Sequence, residues 1–131
     1  MPEIPVPITG LYAALQAFVA IALTAPIGRL RTRYDVSIHA AGHADLDVAI
    51  RRHANWTEHV PFALLLIALL ELNGGSASLL HGLGAGLLVA RILHPLGLKA
   101  DTMKVPLRGI GAIGTLLVTL IAAIALLLKA F

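Results

Sequence analysis

The sequence predicts an all-α integral membrane protein, an up-down four-helix bundle. Three observations carry that prediction: a composition too apolar for a soluble domain, four apolar runs long enough to cross hydrocarbon, and cations concentrated in two of the connections. Of 131 residues, 58% are hydrophobic and only 13% charged, where a soluble domain carries about 25% charged residues. Mean hydropathy is +0.87. So few charges could hardly cover the surface of a globule this size, and the length argues for one domain, residues 1–131. There is no cysteine, which excludes disulfides, thiolate metal sites and a cysteine nucleophile. Any thiol chemistry must use a thiol brought by a ligand. The pI near 9.8 does not imply nucleic acid, because the basic residues sit beside apolar segments, where orientation in a bilayer explains them.

The charge gaps set the spans. No charge lies between Glu3 and Arg29, giving a first span over residues 8–27. The preceding prolines cannot all be helical, and with no basic stretch ahead of it the first span reads as an anchor rather than a removable signal. A second span covers residues 55–72, with Glu58 near its start and Glu71 near its end. The third covers residues 76–96, with Arg91 in its last turns, and the fourth residues 107–128, charge-free from Gly109 onward. Each is about 20 residues, or about 30 Å of helix, matching hydrocarbon thickness. The first connection holds Arg29, Arg31, Arg33, Arg51 and Arg52, and the third holds Lys99, Lys104 and Arg108. The link Asn73-Gly74-Gly75 has no cation. The two basic loops are therefore expected in the cytoplasm, with both termini on the opposite side.

Two patterns carry less than they suggest. His39 and His43, with Asp45 and Asp47 nearby, have metal-like spacing, but Gly42 favours a turn followed by a helix start near Asp45 or Asp47, and no metal is expected. Gly109-Ile-Gly111-Ala-Ile-Gly114 spells a dinucleotide fingerprint, yet that motif needs a preceding strand, and here it opens a membrane span. Gly82, Gly84 and Gly86 read as small residues for close helix approach.

The polar residues at the basic end are harder to dismiss. Carried into a helix, Arg51, Asn55 and Glu58 fall within roughly 60° of one face, at the edge of hydrocarbon where unpartnered polar groups are costly. Arg91 and His94 lie at matching depth on the third span. An ion pair between Glu58 and Arg91 is expected. It would leave Arg51, Asn55, His59, His94, Lys104 and Arg108 unexplained, and a concave cationic site for a polar anion from the cytosol accounts for them better.

Four apolar spans, the run Arg51-x-x-x-Asn55-x-x-Glu58-x-x-Pro61 and the later Arg91-x-x-His94 resemble the membrane-associated proteins in eicosanoid and glutathione metabolism, most closely their small bacterial branch. The resemblance covers Arg29 to Arg108. It implies a homotrimer in the bacterial inner membrane that binds glutathione between subunits at the cytoplasmic side. Arg51, Asn55 and Glu58 would then contact the tripeptide, Glu58 taking its amino group. His59 stands where relatives often have a tyrosine, and Arg91 and His94 would line the same pocket. Arg108 would be the catalytic arginine that stabilises the thiolate, while Arg29 or Arg31 would reach from the adjacent subunit. One departure bears on activity: relatives commonly carry a tyrosine where this chain has Leu98.

The expected function is a glutathione-dependent transferase or peroxidase acting on hydrophobic molecules from the bilayer. The alternative is a non-catalytic lipid-binding scaffold of the same fold. A transporter using Glu58 as a proton-coupled carboxylate would not explain the excess of arginine.

Overall fold

The computed structural model describes residues 5–103 and 105–130, so the expectations resting on residues 1–4 and on Lys104 fall outside it. The chain forms four helices, α1 (Pro7–Tyr34), α2 (Ala44–Leu72), α3 (Ala77–Gly97) and α4 (Pro106–Ala130), with no strand among the described residues. By length and composition α1, α3 and α4 can cross a membrane. The second expected span, in α2, is not among them, because Asn55, Glu58, His59 and Glu71 dilute its apolar run. Yet α2 packs against α1, α3 and α4, and its carboxyl end meets the amino end of α1, so it completes a four-helix membrane bundle.

The helices outrun the apolar segments at the basic end. α1 continues past Ile27 to Tyr34, and α2 starts at Ala44 rather than Asn55. The stretch between the first two spans is thus mostly helix, its second half beginning beside the helix start expected near Asp45 or Asp47. Hydrogen-bonded turns continue into water as long as side chains tolerate it, whereas hydropathy marks only the edge of the lipid. At about 1.5 Å per residue, the 29 residues of α2 run roughly 43 Å, beyond the hydrocarbon. α1 ends where Asp35 adopts a left-handed conformation (φ 54°, ψ 47°). The turn that follows is pinned by Arg31, which donates to the carbonyls of Val36 and His39 at 3.3 and 3.1 Å. Tyr34 stacks on His43, ring centroids 3.7 Å apart, and its hydroxyl donates to Asp45 Oδ2 at 2.7 Å. His43 occupies the N-cap position of α2 without a side-chain capping hydrogen bond, and Asp45 and Asp47 lie in the first turn, where carboxylates complement the helix dipole. No group of three or more metal-ligating side chains occurs among the described residues.

The core joins α2, α3 and α4 through Val60, Ala63, Ile67, Leu70, Leu80, Leu83, Leu87, Val118 and Ala122. α1 is attached differently. Its buried residues are Thr9, Tyr12 and Gln16, a polar stripe at i, i+3 and i+7, while Leu11, Phe18 and Ile21 face outward. Trp56 donates to Gln16 Oε1 at 2.9 Å, and the Tyr12 hydroxyl lies 3.1 Å from His81 Nδ1. The Tyr12 ring lies against Gly84, where an added Cβ would fall 2.1 Å from it. The turn between α2 and α3 uses Gly74 at φ +72°, a conformation glycine adopts without steric penalty.

α3 and α4 approach most closely. A Cβ on Gly97 would lie 2.1 Å from the backbone nitrogen of Arg108, and one on Gly111 would lie 2.6 Å from that of His94. Gly86 faces Val118, whereas Gly82 looks into open space. Within the fingerprint-like run, Gly111 and Gly114 therefore serve helix packing, whereas Gly109 faces open space. The contact at Gly97 also fixes where Arg108 enters the bundle.

Candidate functional site

At the end of the bundle bearing the α1–α2 and α3–α4 connections, a cavity of about 350 Å³ opens between α2, the end of α3 and the start of α4. α2 contributes Asp47, Arg51 and Asn55, spaced four residues apart on one stripe. His94 and Leu98 come from the end of α3, Lys99 and Met103 from the connection, and Arg108 from the first turn of α4. Asn55 is shared with a smaller space of about 70 Å³, lined by His59, Arg91, Ala112, Thr115 and Leu116. Arg108 is likewise shared with an apolar groove of about 530 Å³, formed with Met103, Val105, Pro106, Gly109 and Ala112. The three spaces meet at two polar side chains, Asn55 and Arg108.

The electrostatics depart from expectation. Glu58 and Arg91 do not pair. Glu58 lies 3.5 Å from Arg51, both side chains about half exposed (51% and 55%), where an ion pair is worth about 0.2–1 kcal/mol. Matching depth along two helices does not fix the direction in which each side chain points. Glu58 and Arg51, two turns apart on α2, share an outward stripe. Arg91, 2% exposed, turns inward instead. One guanidinium nitrogen donates to Asn55 Oδ1 at 2.7 Å and the other to the Gly111 carbonyl at 3.0 Å. Its Nε has no partner, and among the described residues no carboxylate lies within ion-pair range of it. A buried cation held only by neutral oxygens keeps its field, and that field falls on the space it lines.

Arg108 is similarly uncompensated. Its guanidinium donates to the Met103 thioether sulfur, a weak acceptor, and among the described residues it has no carboxylate partner. Lys99 has none either, so that Asp47 is the one acid among the described residues that lines the cavity with Arg51, Lys99 and Arg108. His94 is 5% exposed, with no hydrogen bond to its ring among the described residues.

Of the residues singled out from the sequence, Arg51, Asn55, His94 and Arg108 line one cavity, and His59 and Arg91 line the space beside it. Glu58, Arg29 and Arg31 line neither. Arg31 is taken up by the turn after α1. Asp47, Lys99 and Met103 were not singled out as site residues. Asp47 was detectable by carrying the Arg51–Asn55 stripe one turn upstream, but a carboxylate near a helix start reads first as a cap.

At the other end of the bundle, the partly buried acid Glu71 is fully used. The Glu71 carboxylate accepts from the backbone N–H groups of Ile8 and Thr9 at 2.9 and 2.7 Å, and from the Thr9 hydroxyl at 2.6 Å. It caps α1, which has no side-chain cap at its own start.

Residues 9–128 match the MAPEG family. The chain is 34% identical over 90 residues, 69% of its own length and 69% of theirs, to inner membrane protein YecN from two strains of Escherichia coli, K12 and O6:H1. No solved structure matches it. A match over nearly the whole chain, together with an all-helical membrane bundle that gathers Arg51, Asn55, Arg91, His94 and Arg108 at one end, makes this protein a member of the MAPEG family.

Proposed function

We propose that the cavity binds glutathione from the cytosol and that the protein transfers its thiolate to hydrophobic electrophiles, or uses it to reduce hydroperoxides, drawn from the bilayer of a bacterial inner membrane. The observation that carries this reading is the position of Arg108, a cation with no carboxylate partner among the described residues. It lines both the polar cavity and the apolar groove. The cavity, at about 350 Å³, falls in the range that encloses a small ligand. Its excess of cations suits the two carboxylates of glutathione.

A thiol with a pKa near 8.5 is only a few per cent thiolate at neutral pH. A guanidinium in hydrogen-bond range stabilises the anion, and one or two units of depression make most of the bound thiol reactive. Arginine suits this task because it stays protonated. Arg51, Asn55 and Lys99 hold the peptide, and Arg91 orients Asn55. In a homotrimer, Arg29 of an adjacent subunit reaches the carboxylates, since Arg31 is engaged in its own turn.

Arg108→Ala is expected to lower conjugation of 1-chloro-2,4-dinitrobenzene at least about 100-fold, a loss of the size seen when a charge-stabilising donor is removed. Glutathione affinity in calorimetry should stay within about threefold. Unchanged turnover would remove Arg108 from the mechanism. A second reading, a non-catalytic lipid-binding protein of the same fold, is favoured by one observation: Leu98 lines the cavity where relatives carry a tyrosine hydroxyl. Glutathione binding by the wild-type protein without any turnover would establish that reading instead.

A further inference from the structure

A separate cavity of about 180 Å³ opens between α1, α2 and the end of α3. It shares no lining residue with the three spaces described above. Its walls are apolar side chains of α1 (Leu23, Pro26), α2 (Ala49) and α3 (Pro95, Leu96), with Arg52 as the one charged group. Arg52 is half-buried. One guanidinium nitrogen donates to the Leu98 carbonyl at 2.8 Å, and its Nε has no partner. No carboxylate lies within ion-pair range of it among the described residues. The cation is anchored by a neutral oxygen and keeps its charge.

Three helices independently fix the level of this cavity in the membrane. Pro26 lies three residues before Arg29, the first charge after the apolar stretch of α1. Leu96 lies three residues before Lys99, and Arg52 three residues before Asn55, where the apolar run of α2 begins. At about 1.5 Å per residue, these walls stand within about one helical turn of the hydrocarbon edge, where lipid phosphates lie. Two exposed apolar stripes reach the cavity from the hydrocarbon side. Phe18, 70% exposed, lies one turn before Ala22 of the lining on α1, and Ile92, 45% exposed, lies one turn before Leu96 on α3. A lipid whose phosphate enters the cavity therefore finds apolar surface for its acyl chains next to it.

We propose that this cavity binds the phosphodiester of an anionic phospholipid from the leaflet at the basic end of the bundle, with Arg52 as its counter-ion. The proposal stands whether or not the larger cavity takes glutathione. With no acid in the lining, the ammonium of a zwitterionic headgroup finds no partner there, and the cavity favours lipids of net negative charge. One cation facing an anionic leaflet is worth about three- to fivefold in lipid occupancy. Holding the end of α3 through the Leu98 carbonyl would act alike in every lipid, and it predicts no preference among them.

The chain's one tryptophan supplies the probe. Trp56 stands one turn from Arg52 on α2, and its indole donates to Gln16 of α1 at 2.9 Å, between two of the helices that wall the cavity. The full-length protein is reconstituted in phosphatidylcholine vesicles that hold an equal fraction of brominated phosphatidylglycerol or of brominated phosphatidylcholine. Brominated acyl chains quench tryptophan at short range. In the wild type, phosphatidylglycerol should associate about three- to fivefold more strongly than phosphatidylcholine. Arg52→Gln should bring the two lipids to equality, whereas Arg52→Lys keeps the charge and should keep most of the preference. Arg33→Gln removes one cation from an exposed position at the same end, outside the cavity lining, and should leave the preference intact. Equal quenching in the wild type, the outcome if a neighbouring subunit covers the cavity, overturns the proposal. So does a preference that survives Arg52→Gln, or one that falls as far in Arg33→Gln. A preference abolished by soluble glycerol phosphate overturns it as well, because the anion then comes from water and not from a lipid.

Discussion

The two ends of the bundle treat their charged side chains in opposite ways. At the end where α2 meets the start of α1, Glu71 accepts three hydrogen bonds and sits on a helix amino terminus, whose dipole favours an anion. At the other end, Arg91 is held by two neutral oxygens with Nε unpartnered, and Arg108 has a thioether for company. One ion is neutralised by the fold itself. The others are left without a carboxylate counter-ion among the described residues. A count of polar residues already marks the basic end as the more polar, but only their satisfaction separates a structural acid from a candidate binding site.

That contrast can be broken by mutation. The largest stability effect is expected from Asn55→Ala, which removes the side chain partnering Arg91 and leaves a second guanidinium nitrogen unsatisfied in the interior. The loss should be about 1.5–3 kcal/mol, read as a lower thermal unfolding midpoint in detergent, together with roughly tenfold weaker glutathione binding. Wild-type stability in that variant would show that Arg91 draws no support from α2. Next comes Gly97→Ala. An added Cβ would lie 2.1 Å from the Arg108 backbone, so α4 must move, at about 1–3 kcal/mol. Conjugation should fall with it because Arg108 is displaced, and unimpaired turnover would mean the position of Arg108 is not set by this contact. The smallest change is expected from Glu71→Gln, which keeps an acceptor for α1 but removes the charge. About 1 kcal/mol of stability should be lost with glutathione affinity unaltered. A change in affinity there would join the two ends that the structure keeps apart.

The limits of the sequence reading follow from the same physics. α3 and α4 begin and end close to the expected span edges because Pro106, the Gly74 turn and the charge gaps coincide there with helix boundaries. α1 and α2 overran theirs because nothing after Ile27 or before Asn55 breaks a helix until Asp35 and His43. The packing face of α1 was invisible to hydropathy, since its buried stripe of Thr9, Tyr12 and Gln16 is polar and its apolar residues face outward. The Glu58–Arg91 pair failed because depth in a membrane leaves rotation about the helix axis free.

Composition and charge spacing alone determined that this chain is a helical membrane protein, which helices it has, and that its basic end is unusually polar. They could do so because each of these depends on how residues are distributed along one dimension. Tertiary structure decided which acid caps a helix, which pairs at the surface and which faces the cavity. It also decided that Arg108 stands between the polar cavity and the apolar groove. Those outcomes depend on the close approach of α3 to α4 and on the angle at which each side chain leaves its helix, and neither quantity is written in the order of residues.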